Sequence, residues 1–447
     1  MTSLIESGPE TPARDLGAEM VEFMDALFPI CRSITGDGLR HSLRKVGQVV
    51  PLDLTEVPSG TPAFDWVVPP EWNIRAGWLS DPNGRRIADF DRSNLEVVNY
   101  SVPVRKTLTL EELRPHLHSL PDHPSWVPYR TSYYSEDWGF CLADDVLREL
   151  PEGRYEAVID STLEPGSLTY GECILPGMSS EEILISSHIC HPSLANDNLS
   201  GVVVATFLAR ALAGMEHRFT YRFLFAPGTI GAITWLARNE EVTERVRGGL
   251  VLACVGDDGE LVYKRSRQGS SVIDRAAEHA LHASGVPHQI IDFSPYGNDE
   301  RQFCSPGFNL PVGAVLRSGW DRSDRHHTSA DDMAGISADS MVGAMTLCLD
   351  VIGILEADAC FVSRCPKGEP QLGRRGLYRN LGGRADREQL EAALLWVLNL
   401  ADGCHSLLDI ATRSGIAFES VLEAAVALER VELLDRAEQS DRKDIRP

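Results

Sequence analysis

The stretch from Ile183 to Gly201, Ile-Leu-Ile-Ser-Ser-His-Ile-Cys-His-Pro-Ser-Leu-Ala-Asn-Asp-Asn-Leu-Ser-Gly, constrains this chain more than any other segment. A short apolar run, readable as a buried strand, ends in His188. Asp197 follows inside a polar turn, and Gly201 then opens the apolar helix pattern Gly-Val-Val-Val-Ala-Thr-Phe-Leu-Ala. An imidazole at a strand end and a carboxylate in the next loop are the first half of a common zinc site. That is also where α/β sheets bind ligands, outside the carboxyl ends of their strands. The plainer reading is a surface or core histidine followed by an ordinary Asn-Asp-Asn turn. Spacing alone does not separate the two.

Two further clusters tilt the balance. Cys254-Val-Gly-Asp257-Asp258-Gly sits at the end of another apolar run, and Arg325-His326-His327-Thr-Ser-Ala-Asp331-Asp332 follows a third at Leu310–Leu316. Three strand ends that each deliver a His or Asp are what a metal site on such a sheet requires. Around them, apolar runs at Tyr155–Ile159, Ile183–Ser187, Thr220–Phe225, Gly249–Val255 and Leu310–Leu316 predict strands. Helical patterns alternate with them at Gly201–Ala213, Ile230–Asn239, Val272–Ser284 and Ala338–Leu355. Alternation of this kind predicts an α/β sandwich with a largely parallel central sheet.

The flanks read differently. Residues 1–12 have the texture of a disordered segment. Residues 51–104 predict a small β-rich module inserted into the α/β domain, which would comprise 13–50 and 105–362. Within the module, Asp81-Pro-Asn83-Gly84 predicts a hairpin, because Asn-Gly accepts positive φ at both turn positions. Its aromatic residues Phe64, Trp66, Trp72, Trp78, Phe90 and Tyr100 are expected in the core rather than as a ligand platform. Residues 363–384, rich in Gly, Pro and Arg, predict a linker, and 385–447 a winged-helix-like unit. In winged helices that read DNA the second helix carries basic and polar groups. Here the corresponding segment carries Glu419, Glu423 and Glu429, with Arg430 its one cation. Packing, or contact with a protein partner or a second copy of the chain, is the expected role.

Charge points the same way. A formal net charge of −23 opposes binding to nucleic acid and to anionic lipid, so neither is expected as a partner. No apolar run approaches the ~20 residues needed to span a bilayer. The N-terminus lacks a basic region followed by an apolar core, so no signal peptide is expected. The ten cysteines include no Cys-x-x-Cys pair. Reduced thiols in the cytoplasm are the corresponding expectation.

With these motifs in order, the chain resembles the zinc-dependent exopeptidases of the aminopeptidase and glutaminyl-cyclase type. The resemblance is carried by His188, Ala195-Asn-Asp197-Asn-Leu-Ser-Gly201, Gly256-Asp257-Asp258 and His327-Thr-Ser-Ala-Asp331. More narrowly, and over nearly its whole length, it resembles the bacterial aminopeptidase-like proteins. These share the segments Phe28–Gly36, Phe64–Trp66, Ser132–Cys141, Ser187–Ser193 and Asp299–Gln302, and a winged-helix-like C-terminal segment. The resemblance implies a zinc-exopeptidase-like α/β fold with a mixed, mostly parallel sheet. It also implies zinc ligands at His188, Asp197, Asp257 and His327, with Asp258 the alternative to Asp257. Cys190 stands where classical members have an Asp that orients the first His. His191 is either an extra ligand or a structural residue.

One departure matters most. In Phe225-Ala-Pro-Gly228-Thr229-Ile-Gly231, classical members place two Glu, a general base and then a metal ligand; the nearer relatives keep one Glu in Pro-Glu-Thr-Ile-Gly. Gly228 and Thr229 supply neither. Loss of a positioned general base costs ~10²–10⁴-fold. Loss of the ligand leads us to expect one well-held zinc, with two the alternative. Tyr296-Gly-Asn-Asp299-Glu300-Arg301 offers replacement chemistry: Glu300, with Asp299, to handle the proton, and Arg301 to clamp a carboxylate bidentately. Tyr296 and Tyr133 are candidate substrate contacts, while Tyr134 and Trp138 fit either a pocket wall or the core. The expected function is metal-dependent hydrolysis of a small peptide or aminoacyl amide, in polysaccharide or specialised-metabolite biosynthesis by family context. The alternative is a catalytically inactive pseudo-peptidase that binds a ligand or protein partner.

Overall fold

The computed structural model describes residues 13–317, 323–377 and 384–437. The segment 1–12, residues 378–383 of the expected linker and the end of the tail from 438 lie outside the described residues. The chain divides into two compact units, one comprising Thr11–Ser271 with Pro287–Thr346, the other built around Val272–Val286 with Leu347–Pro447.

The larger unit is built on an eight-stranded mixed sheet. Its spatial order is Asp53–Pro58, Ser167–Leu175, Thr220–Ala226, Glu182–His188, Val246–Leu252, Val312–Arg317, Leu261–Lys264, His288–Ile291. The four strands at its heart, from Thr220–Ala226 to Val312–Arg317, run parallel, and the two on the Asp53 side are antiparallel additions. Every residue of Glu182–His188 is buried, and Thr220–Ala226 is nearly so. Unbroken apolar runs are how strands covered on both faces read. Helix Gly201–Leu212 is buried over most of its surface, as its sequence of Val, Ala, Leu and Phe predicts.

Three strands escape the pattern read from sequence: Ser167–Leu175, Leu261–Lys264 and His288–Ile291. The last is partly exposed and the first alternates polar with apolar residues, so neither forms a continuous apolar run. Tyr155–Ile159, expected in the central sheet, instead belongs to Arg154–Glu164, in a separate four-stranded antiparallel sheet ordered Arg86–Asp89, Glu71–Ser80, Arg154–Glu164, Val104–Thr109. The β-rich module therefore does not close at residue 104, and Asp53–Pro58 leaves it for the edge of the central sheet. The hairpin at Asp81–Gly84 is present: Asp81 Oδ1 accepts from the amides of Asn83 and Arg85, and Gly84 has φ 81°.

In the smaller unit, strands Cys360–Ser363, Asp402–Ser406 and Leu434–Arg436 form a short antiparallel sheet beside helices Arg384–Leu400, Leu407–Ser414 and Phe418–Arg430. Helix Val272–Ser284 packs on Leu407–Ser414. Its His279 Nε2 accepts from the Phe418 amide at 3.0 Å, at the first turn of the second helix of the helix-turn-helix. Among the described helices, Ala338–Ala357 alone is long and apolar enough to cross a membrane, and more than half of its apolar window is buried inside the protein.

Candidate metal centre

Glu182–His188 is flanked by the next two strands of the chain's central core, Thr220–Ala226 on one side and Val246–Leu252 on the other. The two following connections leave in opposite directions, so a crevice opens at the carboxyl end of Glu182–His188. His188 stands at its floor.

The loop after His188 is held by its own polar side chains. Asn198 Nδ2 donates to Ser187 Oγ and to the Leu252 carbonyl, and its Oδ1 accepts from the Cys254 amide. Asn196 Oδ1 accepts from the Gly256 amide. Asp331 takes the amides of Asn196 and Asp197 on its two oxygens, at 2.6 and 2.9 Å. The Asn-Asp-Asn of the sequence is thus a clamp between strand ends. Gly201 allows the loop to lie so close, because a Cβ there would sit 2.3 Å from the Leu252 carbonyl oxygen. From the N-terminal segment, fully buried Arg32 donates to the His191 carbonyl at 2.8 Å. On the other side the Tyr129 amide donates to the His327 carbonyl at 2.8 Å, and the Tyr129 ring lies edge-on to His191 and His327.

Four histidines converge on Asp197. His188 Nε2 lies 3.0 Å from Oδ1; His191 Nδ1, His326 Nδ1 and His327 Nε2 lie 3.4, 3.4 and 2.9 Å from Oδ2. Donors bound to one zinc at 2.0–2.2 Å stand about 3.3–3.6 Å apart at tetrahedral angles. These separations fall at or slightly inside that spacing. Asp197 Oδ2 is buried among these three imidazole nitrogens, yet none of them donates to it in line. A cation between the carboxylate and the imidazoles would satisfy that oxygen fully. The donor set therefore fits zinc, as His188, His191 and Asp197, or as Asp197, His326 and His327, with Asp197 common to both.

The electrostatics favour charge at this point. Burial opposes ionisation of Asp197, yet His191, His188 and His327 hold it well below the carboxylate range. Burial likewise opposes protonation of His191, and Asp197 and Cys190 push it well above its ordinary value. His326 is pushed down to about 4 by burial, so it is already the neutral imidazole that a metal binds.

Facing these groups is a cavity of about 390 Å³ lined by His188, Cys190, Gly228, Asp299, Arg301 and His327, among others. The positions of the two classical Glu lie on its wall. The Gly228 amide donates to Cys190 Sγ at 3.3 Å. The Thr229 amide, at φ 61°, donates to Asp299 Oδ1 at 2.7 Å. Asp299 is 4% exposed, and burial raises its pKa. Arg301 reaches Thr229 Oγ1 with Nη2, while its buried Nε makes no hydrogen bond.

Two sequence expectations need correction. Asp257 stands outside both histidine clusters: its carboxylate accepts from Asn196 Nδ2 and the Gly259 amide, and with Asp258, also outside the clusters, it lines a second cavity beside Asp197 and His326. Glu300 does not face the cavity. It is fully buried and paired with Lys264 Nζ at 2.8 Å, and the lysine also donates to the Tyr296 carbonyl. Tyr133, Tyr134 and Tyr296 do line the cavity, whereas Trp138 is a core residue stacked on His116. Sequence reasoning missed His326, whose signal was the His-His doublet, and the clamps Arg32 and Tyr129, for which spacing gives no signal.

Comparison with known proteins agrees with this architecture. A family profile described as "Domain of unknown function (DUF4910)" matches residues 21–358, and a winged helix-turn-helix profile matches 359–436. The chain is 49% identical, over 94% of its length and 96% of the relative's, to a protein of Clostridium acetobutylicum named "Putative polysaccharide biosynthesis protein with aminopeptidase-like domain". The crystal structure of a "putative peptidase" from Clostridium acetobutylicum superposes with a TM-score of 0.90 at 47% identity, covering 95% of this chain and 97% of that one. A zinc aminopeptidase from Bacillus subtilis, at 14% identity, shares the fold with a TM-score of 0.57 over 78% of this chain and 96% of its own. A crevice built at the ends of parallel strands, a winged-helix tail and near-full-length kinship all lead to one assignment: the chain belongs to the bacterial aminopeptidase-like family defined by this domain of unknown function, on the fold of the zinc aminopeptidases.

Proposed function

We propose that this protein is a zinc-dependent hydrolase of a small aminoacyl or peptidyl amide, in which Asp299 handles the proton. The observation that carries the reading is the convergence of four histidines on the buried Asp197 carboxylate, His188 at Oδ1 and the other three at Oδ2, facing a cavity that also holds a buried carboxylate. Asp197 would hold one zinc together with His188 and His191, or with His326 and His327. Zinc bound there would polarise the scissile carbonyl and acidify water. The rest is chemistry of the chain's own side chains. Asp299 sits against the Thr229 amide, on the wall that Gly228 leaves open, and its raised pKa suits a group that both takes and returns a proton. Glu300 cannot do this while locked to Lys264; its part is to anchor the loop that presents Asp299 and Arg301. Arg301, with Nε unpaired, is placed to bind a substrate carboxylate. Kinship with a protein named for polysaccharide biosynthesis supports an aminoacylated sugar derivative as substrate.

The test is turnover of an aminoacyl-amide panel by zinc-loaded protein and two variants. Asp299→Asn is expected to lower kcat by ~10²–10⁴-fold with zinc content unchanged. Glu300→Gln is expected to act on the fold, costing ~3–5 kcal/mol because it leaves the buried Lys264 without its counter-charge, with the pH profile of residual turnover unaltered. Elemental analysis should give one zinc per chain, lost in His188→Ala. Full turnover by Asp299→Asn would remove its role. Absence of any amide turnover with zinc bound would leave the binding-protein reading, which Gly228 and Thr229 favour.

A further inference from the structure

The mouth of the cavity carries aromatic rings where a core was expected. Of the aromatics in the β-rich segment, Trp72 and Tyr100 are buried, but Phe64 is 54% and Trp66 39% exposed. They sit on a small hairpin, with Ala63 paired to Trp66 and Phe64 and Asp65 forming its turn. Trp66 meets the exposed ring of Tyr134 edge-on at 5.2 Å, and Tyr134 and Tyr296 line the cavity itself. Phe64 rests against Phe308 at 5.7 Å. Trp66 thus extends, through Tyr134, an aromatic lining of the candidate catalytic chamber that Tyr296 shares.

The local backbone supports a purpose for this placement. Phe64 has φ 55°, at a turn position where Gly, Asn or Asp would be relaxed. A bulky residue in that region is an outlier, and such outliers cluster at ligand sites. Exposed apolar groups gathered beside a pocket mark binding grooves, whereas scattered ones need no explanation. At about 390 Å³ the chamber is the size of a small-ligand pocket, and Trp66 carries its aromatic lining outward past Tyr134.

We propose that the rim of Trp66, Tyr134 and Tyr296 is a subsite for a hexopyranose ring carrying the acyl group. This rests on the reading of the chamber as an amide-hydrolysing site. A pyranose has a face of C–H groups that matches the electron-rich face of an aromatic ring. Its hydroxyl edge needs acceptors, and exposed Asp65, between the two hairpin aromatics, supplies them. A peptide would instead ask for a strand edge or charged partners along the rim. The sugar is also the attachment that a relative named for polysaccharide biosynthesis would handle.

The test is binding, so it does not depend on turnover. Full-length protein, with and without zinc, is titrated by calorimetry and saturation-transfer NMR with trisaccharides of glucose, mannose, galactose and N-acetylglucosamine, and with tri-alanine. At least one trisaccharide is expected to bind more tightly than the peptide. Trp66→Ala and Tyr296→Ala, which lie on separate segments, should each weaken it roughly tenfold, a change of one decade in Kd. Trp66→Phe should retain most of the binding, and thermal melts should match the unaltered protein. No saturable trisaccharide, tighter tri-alanine, or binding indifferent to both alanine variants would overturn the proposal. Failure of amide turnover with sugar binding intact would remove the hydrolase reading alone, and the reverse would remove the rim alone.

Discussion

At the scale of single residues, Gly228 and Asp331 show how small groups set the chemistry of this centre. A Cβ on Gly228 would lie 3.6 Å from Cys190 Sγ and 3.7 Å from His188 Cβ, ordinary contacts that leave room for a side chain. Gly228→Glu should therefore fold, and its carboxylate would enter the cavity. Turnover of simple aminoacyl amides is expected to rise by at least about tenfold, toward the lower part of the range a general base contributes. Unchanged or lower turnover in a folded, zinc-loaded variant would show that the open wall serves substrate fit instead. Asp331 lies behind Asp197, and burial lifts it from 3.8 to about 7, against the pull of the Asn196 amide. A carboxyl whose folded pKa is raised contributes stability below its unfolded value and loses it as pH climbs through the folded value. The zinc-stripped protein should accordingly lose Tm between about pH 4 and 7 from this group. Asp331→Asn should flatten that part of the profile, and an unchanged slope would reject the assignment.

At the scale of elements, the loop Ala195–Ser200 and the helix after it act as one fitting. Gly201 starts helix Gly201–Leu212 where Leu252, at the end of the neighbouring strand, approaches too closely for any side chain. Gly201→Ala should push the helix start off the strand end, costing at least ~1–3 kcal/mol by overpacking. Because Asn196 and Asn198 tie that same loop to Gly256 and Cys254, the displacement should also reduce zinc retention. Melting curves with and without chelator check both effects together. A stable variant with full zinc content would show that the contact is slack. The element that sequence misjudged most is the segment around Phe64 and Trp66. Aromatic content predicted core, but on this hairpin of two residue pairs Phe64 and Trp66 stay largely exposed, each meeting a single neighbouring ring, Phe308 and Tyr134.

At the scale of the whole molecule, the question is what the winged-helix unit adds. Net charge is −23, and helix Phe418–Arg430 carries Glu419, Glu423 and Glu429. Its first amide is already taken by His279 of helix Val272–Ser284. A DNA-reading helix presents that end to the groove. Full-length protein is expected to leave duplex DNA unshifted at physiological salt; a sequence-selective complex in a gel or anisotropy titration would reverse this reading. By itself the sequence determined the strand-end character of the centre, because apolar runs, turns and His or Asp at their ends are local patterns. It also determined the family and the absence of a Glu at Gly228 and Thr229. Only the tertiary structure decided which carboxylates belong to the centre. Asp257 and Asp258, or Asp299 and Glu300, are adjacent in sequence, and only long-range partners such as Asn196, Lys264 and the Thr229 amide choose between neighbours. Which face a side chain meets depends on elements far away in the chain, and no local pattern encodes that.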